Sequence, residues 1–347
     1  MDDPTTSRRQ EFYDKLTPKN LAPLWEVMAS LLPSEPSSKA VPFHWRYDEI
    51  RPLLIESGSL LTAAEAERRV LVLENPSFAG GSRATTTLYA GLQVIMPGET
   101  APAHRHTPSA LRLMLEGEGA YTAVGGERTT MRAGDFVITP SWAFHDHGNE
   151  GTEPCIWLDG LDVPIAGFFE AVFREDYNDE RQSLTRPEGD SLARFGSGLL
   201  PFDAESRYGL TTPIFNYPYE RTREALLTAS RGEDPDPHLA TTLRFVNPID
   251  GGWTMPTMSA WMTYIPKGMK TAPIRSTDGI VMCVVEGTGK LVSGSSTFSF
   301  SPKDVLAVPV WTWRSFEATE DCFVFCFSDR VAQEKLGLYR EDRSAVR

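Results

Sequence analysis

The chain has 347 residues, 41% of them hydrophobic and 23% charged, with 34 basic against 47 acidic side chains and a formal net charge of −13. That length allows two ordinary domains and a sizeable core, and the acidic balance argues against nucleic acid or an anionic membrane surface as a partner. No stretch nears the roughly 18 consecutive apolar residues of a membrane span. The mixed acids, bases and prolines of the first thirty residues do not read as a signal peptide, so a cytoplasmic location is expected. Cys155, Cys283, Cys322 and Cys326 have no zinc-ligand spacing and read as buried reduced thiols.

Residues 8–33 are expected to be helical, because Leu21, Leu24, Trp25, Met28, Leu31 and Leu32 recur at helical spacing before Pro33. Arg51–Ser57 and Ala63–Arg69 read as short helical or irregular pieces. From Arg69 short apolar runs bounded by Gly, Pro and Asn follow closely, as in an all-β barrel or sandwich. The strand candidates are Val70–Leu73, Thr86–Met96, Leu111–Leu115, Ala120–Val124, Phe136–Thr139 and Cys155–Leu158. Residues 164–230 interrupt this texture with helical or irregular segments at Phe168–Phe173, Arg181–Arg194 and Arg221–Ser230. Strands resume from Thr241 to about Ser328, and Val331–Tyr339 again looks helical.

The two β-rich stretches resemble each other. Thr107 to Glu116 and Thr277 to Glu286 have equal spacing and end in matching turns, Glu116-Gly117-Glu118-Gly119 and Glu286-Gly287-Thr288-Gly289. Further on, Gly134-Asp135 answers Lys303-Asp304, Pro140 answers Pro309, and Trp142 answers Trp311. An internal duplication of about 65 residues follows, and with it two copies of one small β-barrel.

Only six histidines occur, and four of them fall between positions 104 and 147. His104 and His106 alternate, so on a strand both side chains project to one face, and His145 and His147 do the same. One such pair is ordinary polar strand sequence. Two pairs in a histidine-poor chain point instead to a metal, and imidazole suits iron, zinc, copper or nickel. His44 and His238 lie in Pro-flanked segments away from this cluster and read as structural or exposed. In the second copy, Ile274 and Ser276 stand where His104 and His106 do, and Arg314 stands for His145, so no metal is expected there.

The run Gly98-Glu99-Thr100-Ala101-Pro102-Ala103-His104-Arg105-His106 resembles the first cupin motif, and Gly134, Pro140, His145 and Asn149 resemble the second. The usual glutamate ligand is missing, since Ala110 holds its position. The expected fold is therefore mainly β, a bicupin of two tandem jelly-roll-like barrels. Residues 1–68 would form a helical arm, 69–163 a metal-binding cupin domain, 164–240 a linker, 241–330 a degenerate metal-free cupin and 331–347 a helical tail. Taken with Ser109-Ala110-Leu111-Arg112, Thr139-Pro140-Ser141-Trp142, Asn20-Leu21-Ala22-Pro23-Leu24-Trp25 and Trp157-Leu158-Asp159-Gly160, the chain resembles the gentisate 1,2-dioxygenase family. Its relatives act on salicylate and 1-hydroxy-2-naphthoate.

The resemblance implies one Fe(II) per chain held by His104, His106 and His145, an aromatic hydroxy-acid and O2 as reactants, ring opening of gentisate to maleylpyruvate, and a homotetramer. A metal held by three neutral histidines keeps its full charge for an anionic chelating substrate, whose hydroxyl it would acidify. Arg112 shares the parity of His106 and offers a planar fork to the substrate carboxylate, with Arg68 or Arg69 as a second partner. His147 is expected as a proton donor beside the ligands rather than a fourth ligand. The resemblance places Tyr89, Gly91 and Gln93 along the pocket, and Asp159 in reach of the 5-hydroxyl that salicylate lacks. Salicylates or 1-hydroxy-2-naphthoate are the alternative substrates. A cupin that binds metal without turnover is the reading from another class.

Overall fold

The computed structural model describes residues 4–202 and 210–344, and the ends of the expected arm and tail and part of the expected linker lie outside them. The chain forms two compact units that divide after Ser37. The first carries helices Pro4–Leu16 and Leu24–Leu31, joined by a 3-10 turn at Thr17–Lys19. The single helical run expected over 8–33 is thus broken. Pro18 and Pro23 cannot donate to a continuing helix, and Asn20 turns the chain through a left-handed conformation at φ 55°. The Trp25 indole donates to Tyr13 Oη at 2.8 Å and ties the two helices together.

The second unit holds two barrels. In the first, a six-stranded antiparallel sheet runs in the order Asn216–Tyr217, Phe136–Thr139, Ala110–Glu116, Cys155–Leu161, Tyr89–Ile95, Val70–Val72. It faces a five-stranded sheet in the order Arg174–Asp176, Thr100–His106, His145–Asn149, Ala120–Val124, Glu127–Thr130. The second barrel repeats the large sheet as Phe43–Trp45, Val305–Val308, Ile280–Glu286, Cys322–Ser328, Ser259–Ile265, Thr241–Arg244.

The duplication is longer than the sequence shows. In each copy a short strand leads into a fourteen-residue helix, Tyr47–Leu60 or Tyr219–Gly232. The leading strands are exchanged. Phe43–Trp45 pairs with Val305–Ala307 of the second barrel, whereas Asn216–Tyr217 pairs with Phe136–Val137 of the first. Equivalent aspartates seat both crossings, because Asp304 accepts from Tyr47 N at 2.8 Å and Asp135 from Tyr219 N at 2.9 Å. Segments assigned from sequence to an arm and a linker therefore supply edge strands, where pairing satisfies backbone groups that a lone edge would leave open. At the other end of each copy a short helix, Val163–Phe168 or Arg330–Lys335, precedes a strand, Arg174–Asp176 or Glu341–Asp342. The expected helical tail is accordingly helical only to Lys335.

The two large sheets share one core. Leu92, Leu111, Leu113, Phe136 and Leu158 pack in the same apolar cluster as Met262, Val281, Phe323, Phe325 and Phe327. Strands buried on both faces lose the polar alternation of a half-exposed sheet, as the fully buried run Cys322–Ser328 illustrates. Residues of the opposite parity point into the barrels. In the first these include Ile95, Met114, Val137, Cys155 and Trp157. All four cysteines are buried and free.

Candidate metal centre

His104 and His106 lie on the Thr100–His106 strand and His145 begins the strand beside it, with His104 and His145 opposite each other in register. The ring centroids of His104 and His145 are 4.6 Å apart, and those of His106 and His145 4.8 Å. One candidate ligand atom from each of the three lies within 4.8 Å of the others. Between the two strand histidines, Arg105 points the other way. Its guanidinium lies 4.4 Å from both the Trp142 and Phe144 rings and pairs with Glu175 at 2.7 Å. The back of the strand is thereby fixed.

Tautomers follow from the neighbours. His106 Nδ1 faces the Pro108 carbonyl at 2.7 Å and His145 Nδ1 the Ala143 carbonyl at 3.0 Å. A carbonyl only accepts, so each Nδ1 carries the proton and each Nε2 offers a lone pair, the usual orienting arrangement of a metal-binding imidazole. His104 differs, because its Nδ1 lies 3.3 Å from Arg68 Nη2, a donor. With Arg68 donating, the proton of His104 sits on Nε2, and Nε2 offers a lone pair only when Arg68 turns away and that proton moves to Nδ1. Burial, reinforced by Arg112 and Arg68, holds His106 down to about 4 and His145 far below the ordinary imidazole value. Burial and Arg68 do the same for His104. All three rings are neutral at physiological pH, the state a metal requires.

Arg112 enters the barrel interior, where Nη1 donates to Thr139 Oγ1 at 2.6 Å and Nε lies 3.3 Å from Asp159 Oδ1. Asp159, opposite Arg112 in register, also accepts from the Trp157 indole at 3.1 Å. Its Oδ1 is thus engaged by both neighbours. Burial pushes its carboxyl up to about 6, against the pull of Arg112. Arg68 faces His104 and also donates to the Pro102 carbonyl at 2.9 Å. Arg69 turns aside to pair with Glu99. Of the two arginines left open by sequence, Arg68 is the one at the histidines. The fully buried His147 binds Thr122 Oγ1 through Nδ1 at 2.9 Å, and its Nε2 has no partner among the described residues.

Gly91 sits opposite Asp159, and Gln93 opposite Trp157. A Cβ at Gly91 would come within 2.5 Å of Val70 Cγ1 and 2.9 Å of the Tyr89 hydroxyl, so the glycine lets the Tyr89 ring fold over the strand. Thr139, Thr122 and Trp157, which orient Arg112, His147 and Asp159, were not singled out from sequence. Cross-strand register brings in Thr139 and Thr122, whereas Trp157 lies two residues before Asp159 on the same strand. His44 instead binds Asp304 at 2.8 Å, and His238 binds the Pro273 carbonyl at 3.0 Å, both away from this cluster.

Two fused barrels with three facing imidazoles in one of them define a metal-binding bicupin. Residues 91–161 match the family described as "Cupin domain". The chain is 50% identical over 339 residues to gentisate 1,2 dioxygenase 1 of Aquipseudomonas alcaligenes, covering 98% of this chain and 97% of that one. It is 32% identical to a 5-aminosalicylate 1,2-dioxygenase of Comamonas, covering 96% and 90%. The crystal structure of salicylate 1,2-dioxygenase from Pseudoaminobacter salicylatoxidans with gentisate superposes with a TM-score of 0.91 at 32% identity, covering 99% of this chain and 94% of that one. This chain belongs to the gentisate 1,2-dioxygenase family of ring-cleaving oxidoreductases.

Proposed function

We propose that the chain is an iron(II)-dependent gentisate 1,2-dioxygenase. It opens gentisate between the carboxyl-bearing and adjacent hydroxyl-bearing carbons to give maleylpyruvate, in aromatic catabolism in the cytoplasm. The carrying observation is the convergence of three neutral imidazoles with two arginines and one buried carboxyl in a single barrel. His104, His106 and His145 would hold one Fe(II) per chain, and the donor set fits because His106 and His145 already present oriented lone pairs. When bound, the metal supplies Lewis acidity toward the substrate hydroxyl and an electron path to O2.

The other residues bind and orient. Arg112, fixed by Thr139, offers its remaining N–H groups to the substrate carboxylate. Arg68 joins it: with the metal held, the His104 proton would stand on Nδ1, and Arg68 would turn from that ring to the carboxylate. Asp159 Oδ2 accepts from the 5-hydroxyl, which distinguishes gentisate from salicylate. His147 Nε2 stands as the proton donor or acceptor on the inner wall, and Tyr89, Gly91 and Gln93 shape the space beside the ring. Relatives named for 5-aminosalicylate and 1-hydroxy-2-naphthoate make substituted salicylates and hydroxynaphthoates the second reading. A homotetramer is the assembly we infer by family.

Anaerobically purified, iron(II)-loaded protein should consume one O2 per gentisate, with a higher kcat/KM than for salicylate, 5-aminosalicylate or 1-hydroxy-2-naphthoate. A higher kcat/KM for one of those acids would replace gentisate. No turnover of any, with iron bound, would remove the dioxygenase reading.

A further inference from the structure

The second barrel has lost the histidines but not its interior. Ile274 bridges Arg314 there, as His104 pairs with His145 in the first barrel. Both line a cavity of about 270 Å³, walled in part by Ile274, Met282, Trp261 and Phe316. An apolar cavity of about 150 Å³ already admits a benzene ring.

Two charged groups line this cavity and form no ion pair among the described residues, although Arg330 attracts Asp278 from farther off. Arg314, 9% exposed, donates from Nη1 to Ser276 Oγ at 3.0 Å, and no carboxylate among the described residues pairs with it. Asp278 is 2% exposed, and its Oδ1 has no hydrogen-bond partner among the described residues. The rim charges satisfy one another instead. Arg330 binds Glu334 at 2.7 Å and lies 4.2 Å from the Tyr339 ring, while the Tyr339 hydroxyl donates to Glu341 at 2.8 Å. Buried polar groups left unmatched are costly, and a drier barrel would have replaced them with aliphatic side chains. An arginine, a carboxyl acceptor and an aromatic wall in one cavity form a complementary set for one kind of ligand.

We propose that the second barrel is a metal-free binding site for a single-ring aromatic carboxylate that carries a hydrogen-bond donor. Its carboxylate meets Arg314, its donor meets Asp278, and its ring lies between Trp261, Phe316 and Met282. The site stands independently of which acid the first barrel opens.

The test is a binding count by anaerobic equilibrium dialysis of the iron-loaded protein with salicylate as probe. Arg314→Met should bind one equivalent fewer per chain than the unaltered protein, with the metal content unchanged. Asp278→Leu, which removes the acceptor while keeping apolar bulk, provides a second reading should Arg314→Met fold poorly. In the unaltered protein benzoate, which lacks the donor, should bind the second site about tenfold more weakly than salicylate, and in Asp278→Leu that preference should vanish. Equal stoichiometry in the unaltered and Arg314→Met proteins would overturn the proposal. So would an unchanged salicylate preference in Asp278→Leu.

Discussion

Arg68 and Asp159 each face two demands, and their substitutions separate binding from chemistry. Arg68 caps His104 Nδ1 at 3.3 Å in the described arrangement. Arg68→Met should leave iron content unchanged while raising KM for gentisate roughly tenfold to a hundredfold, the effect of a lost charge-assisted hydrogen bond of about 1.5–3 kcal/mol. Retained KM, read from steady-state kinetics, would dismiss Arg68 as a carboxylate partner. His104→Ala should abolish iron binding and activity, whereas His238→Ala should leave iron content unaltered, as metal analysis of both would show.

Asp159 carries a pH signature. Burial raises its carboxyl to about 6, so it is ionised above that pH and protonated below. As pH falls through about 6 it becomes a poorer acceptor for the 5-hydroxyl, and the ratio of kcat/KM for gentisate over salicylate should shrink. Asp159→Ala should lower the gentisate value more than the salicylate one and flatten the ratio with pH. Equal losses on both substrates would remove its assigned role. The histidine positions were legible in the sequence, because histidine is rare here and its two-residue spacing survives any error in strand boundaries. The choice between Arg68 and Arg69 was not legible, since adjacent residues differ only in which face the backbone presents.

At the scale of elements, the strand carrying His145 and His147 depends on a close approach. A Cβ on Gly148 would come within 2.3 Å of the Tyr121 ring, so Gly148→Ala must move that ring or the strand. Reduced iron affinity together with a lower Tm is expected, from iron titration and thermal melting, and an unchanged pair of values would show that the strand yields without cost. Apolar strands such as Ala120–Val124 and Phe136–Thr139 could be read directly because both their faces are buried. Glu127–Thr130 could not, as its sequence Glu-Arg-Thr-Thr offers no apolar alternation. The strand bearing His104 is interrupted by Pro102 and a register shift between Ala101 and His104, which blurs period two.

Across the whole molecule, the two barrels hold each other. Phe136 of the first lies 5.2 Å from Phe325 of the second, and the exchanged strands cross in both directions. The copies share turns and tryptophans over about 65 residues, beyond which the exchanged strand and helix keep their geometry while their residues diverge. Asp304 receives both Tyr47 N and the His44 ring, so Asp304→Ala should lower stability by about 2–4 kcal/mol through two orphaned buried partners. Chemical denaturation should show one cooperative transition for both barrels. Separate melting of the second barrel would contradict the shared core.

The proposed activity places both atoms of O2 into an opened ring at a single site. The most direct measurement is a turnover of gentisate by the iron(II)-loaded protein under heavy-isotope dioxygen, with mass analysis of the product. Two labelled oxygens in a ring-opened acid, absent from His104→Ala, are the result predicted. A product with an intact ring, or with one labelled oxygen acquired before any exchange with water, would contradict it.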